Sequence, residues 1–204
     1  ALRLRAIAKD YDAIHSFVEP YSHIAHWLSQ LTGKPYFVTA HGTYAVLPFR
    51  FSPIQRYFHK KSFQRARRVI CVSEYTKKIL SSFGLNNLSV INNGIDIRKF
   101  SHNNVIPFED RKNIILTVGA LKQRKGQHIV IKACAELVKN IPDLQCVIVG
   151  DQSDERYSAS LKILTKDLPI EDSVVFFENI SDVKLLELYQ TAKVFVLTSI
   201  NKNE

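Results

Sequence analysis

The chain has 204 residues, of which 46% are hydrophobic and 23% charged, and its formal net charge is +9. This balance excludes a disordered segment and supports a sizeable buried core. The length suits one large domain or two partial ones. Apolar runs such as those at 147–149 and 194–197 fall far short of the roughly 20 residues that cross a bilayer, so no membrane span is expected.

The opening Ala1-Leu2-Arg3-Leu4-Arg5 lacks an extended apolar core and a small-residue cleavage site, so no secretory leader is read there and a cytoplasmic location is expected. The first residue is not methionine and the chain has none, which points to a piece of something longer.

In the first half, strand-like segments at 13–15, 36–39, 69–72 and 89–91 alternate with predicted helices near 21–32, 53–66 and 74–83. The last of these is expected to stop at Gly84. His23 and His26 could share a helix face, but no thiol or carboxylate spacing completes a metal site, and both are read as surface residues. His41-Gly42-Thr43 follows the second strand, at the carboxyl end where open parallel sheets place ligands. His41 could donate to a sugar hydroxyl or phosphate oxygen, although a lone histidine there is also an ordinary loop residue. Ser73-Glu74 holds the equivalent place after the third strand, where Ser73 also suits a helix N-cap. Asn92-Asn93-Gly94-Ile95-Asp96 is a turn by composition.

Much of the positive charge falls on Arg50, Arg56, His59, Lys60, Lys61, Arg65, Arg67 and Arg68, interleaved with Phe49, Phe51, Tyr57, Phe58 and Phe63. A solvated helix face explains such a run. A helix lying on anionic lipid explains both the charges and the aromatics, and would place the protein peripherally on the inner face of a membrane. No nucleic-acid motif accompanies the run, so nucleic acid is not the expected partner.

Residues 98–112 are polar, contain Pro107 and show no sustained period; they are read as a linker. Beyond them, strand-like segments at 114–118, 146–149, 174–177 and 194–197 alternate with predicted helices near 126–140, 154–167 and 182–192. Val130, Ala133, Cys134, Leu137 and Val138 recur at helical spacing. Ser181 is a good N-cap before Asp182. Cys71, Cys134 and Cys146 are read as reduced core residues. The alternation throughout implies parallel sheets covered by helices. It gives an α/β chain of two Rossmann-like domains, both incomplete: residues 1–97 as the C-terminal part of one and 113–204 as the N-terminal part of the other.

The strongest chemical signal is Gly119-Ala120-Leu121-Lys122-Gln123-Arg124-Lys125-Gly126, which follows a buried strand and opens a helix. Backbone N–H groups and the positive helix end could converge there on an anion, with Arg124 and Lys125 adding full charges. A diphosphate leaving group needs such a cradle, since charge grows on it as its bond to the sugar breaks. An ordinary strand-to-helix turn with surface cations is the plainer alternative. No Asp-x-Asp pair follows a strand, and neither a Gly-x-Ser-x-Gly elbow nor a Walker loop appears, which disfavours metal-dependent transfer, serine hydrolysis and NTP hydrolysis.

Thr39-Ala40-His41-Gly42-Thr43, Val69-Ile70-Cys71-Val72-Ser73-Glu74, Ile91-Asn92-Asn93-Gly94-Ile95-Asp96, Val118-Gly119-Ala120 with Lys125-Gly126, Ile148-Val149-Gly150-Asp151 and Phe195-Val196-Leu197-Thr198-Ser199 occur in an order and spacing that resembles the family 4 glycosyltransferases of the GT-B fold. The resemblance implies transfer of a sugar from a nucleotide-diphosphate sugar to a glycan or lipid-linked acceptor, with retention of configuration and no metal or other cofactor. It implies that the donor sits on the second domain, with Lys125 and its neighbours Gly119, Ala120 and Gly126 at the diphosphate. Ile180 and Ser181 would lie at the base, and Gly150 and Asp151 where the nucleotide needs room. The first domain would take the acceptor through His41, Gly42, Thr43, Ser73, Glu74 and Asn93, with His41 beside the transferred sugar. This chain has Ala120 where many members carry arginine, and Arg124 is the substitute charge. It ends at Asn203-Glu204, where the family continues into a glutamate-containing donor segment, so the chain alone is expected to be inactive. A non-catalytic sugar-nucleotide or glycan-binding module and a GT-B sugar-nucleotide epimerase remain as alternatives.

Overall fold

A computed structural model describes residues 2–17, 19–47, 52–100 and 106–200. Phe49, Arg50, Phe51, Asn203 and Glu204 lie outside these residues. The described chain divides into two units, one running to Ile95 and the other starting at Asp96.

The first unit holds α1 (Leu2–Lys9), β1 (Ile14–Ser16), α2 (Ser22–Thr32), β2 (Tyr36–Ala40), α3 (Thr43–Val46), α4 (Pro53–Gln64), β3 (Arg68–Cys71), α5 (Glu74–Ser82) and β4 (Leu88–Val90). The strands form a parallel sheet in sequential order β1-β2-β3-β4. Right-handed crossovers between neighbours taken in one direction put every connecting helix on the same face. Accordingly Ala25 of α2, Phe63 of α4 and Leu80 of α5 all pack with Tyr36, Val38, Ala40, Val69 and Cys71 in one apolar cluster. On the opposite side of the strands His15 and Arg68 are exposed and Phe37 and Ile70 half-buried, with His15 Nε2 at 2.8 Å from the Thr39 hydroxyl.

Local sequence explains the boundaries. Pro53 takes the first turn of α4 behind Ser52, whose hydroxyl accepts the Gln55 N–H, a position where proline lacks nothing the helix would use. Ser73 caps α5 by accepting the Thr76 N–H, and that helix ends at Ser82, one residue short of Gly84. His26, expected on the surface, is instead half-buried, with Nδ1 3.3 Å from the Tyr36 hydroxyl. That hydroxyl also donates to the Ser62 carbonyl.

The second unit holds α6 (Ile97–Phe100), β5 (Lys112–Val118), α7 (Gln127–Leu137), β6 (Gln145–Val149), α8 (Glu155–Asp167), β7 (Val174–Phe177), α9 (Asp182–Thr191) and β8 (Ala192–Phe195). Short α6 falls at the start of the stretch read as a linker, where the Asp96 carboxylate accepts the Arg98 N–H at 3.0 Å. The parallel sheet here has the order β7-β6-β5-β8. The chain winds outward from β5 through β7, then returns through α9 to place β8 on the other side of β5. Helices therefore cover both faces. Val130, Ile131 and Cys134 of α7 and Leu161 of α8 pack with Cys146 and Ile148. Leu188 and Leu185 of α9 pack with Ile114, Leu116, Val147 and Val149 on the opposite face. All three cysteines are buried and unbridged.

His59 donates from Nε2 to the Ala45 carbonyl at 3.1 Å and packs at a tilt against Phe63 with ring centroids 4.4 Å apart. Burial holds His59 and His26 below the ordinary histidine range, and Lys61 and Arg65 add repulsion at His26. The unfolded chain then binds more protons than the folded one below about pH 6.5, so stability present above that pH is lost as pH falls toward the folded values. Thermal unfolding should show a Tm that falls between pH 7.5 and about pH 5.5, with His59→Gln flattening the slope. A Tm insensitive to pH over that window would contradict this reading.

Candidate functional site

The reversal of strand order between β5 and β8 creates a topological switch point, and in open α/β sheets ligands bind beyond the carboxyl ends of the strands at such a point. The segment 119–126 leaves β5 there, and 196–200 leaves β8 beside it. The two are tied together. Ile200 donates its N–H to the Arg124 carbonyl at 2.9 Å, and the Thr198 hydroxyl lies 3.2 Å from the Lys125 carbonyl and 2.8 Å from that of Gly126. Gln123–Lys125 form a single 3-10 turn ending at Gly126, whose φ of 70° is left-handed. A Cβ at Gly126 would strike the Thr198 carbonyl.

The turn is held equally firmly from its other side. Gly119 donates to Val149 O and Leu121 to Asp151 O, both at 2.8 Å. The Gln127 side chain, almost fully buried, donates to the Gly119 and Ala120 carbonyls at 3.4 and 3.1 Å. Gly150, expected to leave room for a nucleotide, has the space beside its α-carbon taken by the Gly119 carbonyl and Leu121 Cδ1. The Asp151 carboxylate accepts the Ser153 N–H at 2.9 Å.

These bonds change the expected source of positive potential. Besides Gly119 and Leu121, the amides of Lys125 and Gly126 close the turn onto Lys122 O and Gln123 O. The His128 amide, in the first turn of α7, donates to the Tyr157 hydroxyl of α8 at 3.2 Å. Five amides in and beside the loop are therefore committed within the fold. Charge at the site comes from the half-buried Lys125 and exposed Arg124, supported by the α7 dipole. Partial burial, then the adjacent Arg124 charge, hold the Lys125 ammonium below the ordinary lysine range. A bound anion would relieve both penalties.

Ile180 and Ser181 follow β7 at the same end of the sheet. Ser181 caps α9 by accepting the Lys184 N–H at 3.2 Å, and Ile180 packs on the α9-side core. The structure thus brings the residues 119–126, 150–151 and 180–181 to one sheet edge. Thr198 and Gln127 join them there; the strand order that juxtaposes Thr198 is not written in local periodicity, and Gln127 reads in sequence as an ordinary helix residue.

In the first unit, His41-Gly42-Thr43, Ser73-Glu74 and Asn92-Asn93 leave the carboxyl ends of β2, β3 and β4, which all lie at one edge of their parallel sheet. His41 is exposed. The Gly42 carbonyl accepts the Ala45 and Val46 amides of α3, which Thr43 opens. Glu74 lies 3.8 Å from Lys77 in a solvent-exposed pair, a geometry worth little stability. The Asn92 side chain donates to Val72 O at 3.1 Å, leaving Asn93 exposed beside it. Among the described residues no cluster of three or more His, Cys, Asp or Glu side chains could hold a metal ion.

A family model described as glycosyl transferases group 1 matches residues 99–204, and a second, glycosyltransferase family 4, matches residues 1–99. The chain belongs to the group 1 glycosyl transferases. Among curated relatives, alpha-monoglucosyldiacylglycerol synthase of Streptococcus pneumoniae is 25% identical over 67% of this chain and 33% of its own length. D-inositol 3-phosphate glycosyltransferase of Acidothermus cellulolyticus is 33% identical over 42% of this chain and 20% of its own. The structure of Anabaena HepE in complex with UDP covers 99% of this chain at a TM-score of 0.84 and 22% identity, and 57% of HepE is matched. Sucrose-phosphate synthase from Thermosynechococcus elongatus matches at a TM-score of 0.76 and 21% identity over 100% of this chain and 54% of its own. These likenesses establish the GT-B type of α/β fold. The chain spans a third or less of these curated relatives and just over half of these solved structures.

In this member of the group 1 glycosyl transferases the two glycine contacts test the site geometry. Gly126→Ala, through backbone strain and overpacking, and Gly150→Ala, through overpacking, should each lower stability by roughly 1–3 kcal/mol, read as a shift in urea midpoint. An unshifted midpoint in both variants would show that the segments do not approach as described.

Proposed function

We propose that the intact protein transfers a sugar from a nucleoside-diphosphate sugar to a glycan or lipid-linked acceptor, with retention of configuration and without a metal. The observation that carries this reading is the Arg124–Lys125 turn standing at the β5/β8 switch point. Membership of the group 1 glycosyl transferases supports it, as do solved neighbours described in complex with UDP and with UDP-glucose.

In this reading Lys125 and Arg124 meet the diphosphate and offset the charge that grows on it as the sugar's anomeric bond breaks. Because Thr198, Ile200 and Gln127 fix the turn beforehand, little reorganisation is required during reaction. The backbone about Ile180 and Ser181 contacts the base. His41, with Gly42, Thr43, Ser73, Glu74 and Asn93, serves the acceptor side, His41 donating a hydrogen bond to the transferred sugar. The similarity to a diacylglycerol glucosyltransferase favours a lipid acceptor.

Lys125→Ala in the intact enzyme should lower kcat with UDP-glucose as donor by about 10²–10³-fold, with an unchanged unfolding midpoint because its side chain is half-exposed. Full turnover in that variant would remove Lys125 from its assigned role.

A further inference from the structure

No aspartate or glutamate occurs between Glu19 and Glu74, while the same span carries Lys34, Arg50, Arg56, Lys60, Lys61, Arg65, Arg67 and Arg68. The first unit therefore concentrates positive charge in one acid-free stretch, and α4 lies within it.

The way α4 is fastened divides it in two. Ser62 and Phe63 near its end are buried, and the Ser62 hydroxyl is 2.8 Å from that of Ser22 on α2. Every residue from Ser52 to Phe58 is exposed. Ile54, Tyr57 and Phe58 are 70%, 59% and 60% exposed, an unusual load of large apolar side chains for two helical turns in water. Their spacing of three and four places them on one stripe, which Lys61 and Arg65 continue. The Tyr57 and Phe58 rings meet edge to face with centroids 5.5 Å apart, and the Lys61 ammonium lies 5.7 Å from the Tyr57 ring centroid.

We propose that the outward face of α4 docks the protein on an anionic lipid bilayer, with Ile54, Tyr57 and Phe58 entering the headgroup boundary and Lys61 and Arg65 on lipid phosphates. An apolar stripe beside cations is the combination an interfacial helix needs, since burial of apolar area and attraction to anionic lipid each contribute to binding. The absence of carboxylates along the span removes the like-charge repulsion that an acidic surface would otherwise present to the membrane. Nucleic acid is a poorer fit, because Ile54 heads the stripe and offers no ring for base stacking. The inference stands on charge and exposure in the first unit and is independent of the assignment of Lys125.

Vesicle sedimentation tests it, using phosphatidylcholine vesicles with and without phosphatidylglycerol. The chain should bind the anionic vesicles, lose that binding as salt rises, and leave pure phosphatidylcholine largely unbound. Combined Lys61→Gln and Arg65→Gln should weaken partitioning by on the order of fivefold per charge. Ile54→Ser, Tyr57→Ser and Phe58→Ser together should weaken it as well. All five side chains are exposed, so the circular dichroism of both variants should match that of the parent. Equal binding to the two vesicle types, no binding to either, or parental binding by both variants would overturn the proposal. So would RNA retention in place of vesicle binding, or parent self-association that the apolar variant abolishes.

Discussion

The bonds between the turn after β5 and the segment after β8 are what the rest of the second unit is arranged to permit. Three carbonyls in succession, at Arg124, Lys125 and Gly126, face the Thr198 hydroxyl and the Ile200 amide. That meeting requires β8 to lie beside β5, which requires the chain to cross back over the sheet through α9. It also requires glycine at 126, because no other residue takes a left-handed φ while its neighbour's carbonyl stands where a side chain would be. Two adjacent cations are thereby held on a stiff turn in front of a helix N-terminus. Rigid placement of charge is worth more in catalysis than charge alone, since no ordering remains to be done at the moment of reaction.

Most elements were legible from period and punctuation. The strand at 145–149 and the helix at 127–137 carry apolar residues at spacings of their own kind, and Ser73 and Ser181 mark helix starts by chemistry that acts over three residues. The family was legible too, because its motifs keep their order through both halves. Long-range information was not. Nothing in residues 192–200 states that they lie beside β5, and nothing in a helix-spaced Gln127 announces that its amide holds two loop carbonyls. The sequence reading gathered loop amides around an anion, but a neighbouring strand and Tyr157, distant in sequence, use several of them. Backbone hydrogen bonds must all be accounted for in a packed interior, and the partners are set by tertiary structure. Short α1, α3 and α6 were missed for a different reason: too few turns exist for a period to show.

The two units solve the same folding problem differently. The first keeps its strands in sequential order and gathers its helices on one face, whereas the second reverses direction and covers both. Each nonetheless directs its strand ends, and hence its polar loops, to a single edge. Charge is also distributed unequally, with the acid-free span confined to the first unit and the Arg124–Lys125 pair in the second. The proposed anionic donor and the proposed anionic surface would each draw on one of them.

Hydrogen–deuterium exchange of the intact protein with and without UDP most directly examines whether the β5/β8 switch point is the nucleotide site. Slowed exchange at residues 119–129 and 196–200 on adding UDP, with 150–152 and 180–184 following, is the predicted result. Protection confined to the first unit, or none at 119–129 under saturating nucleotide, would contradict it.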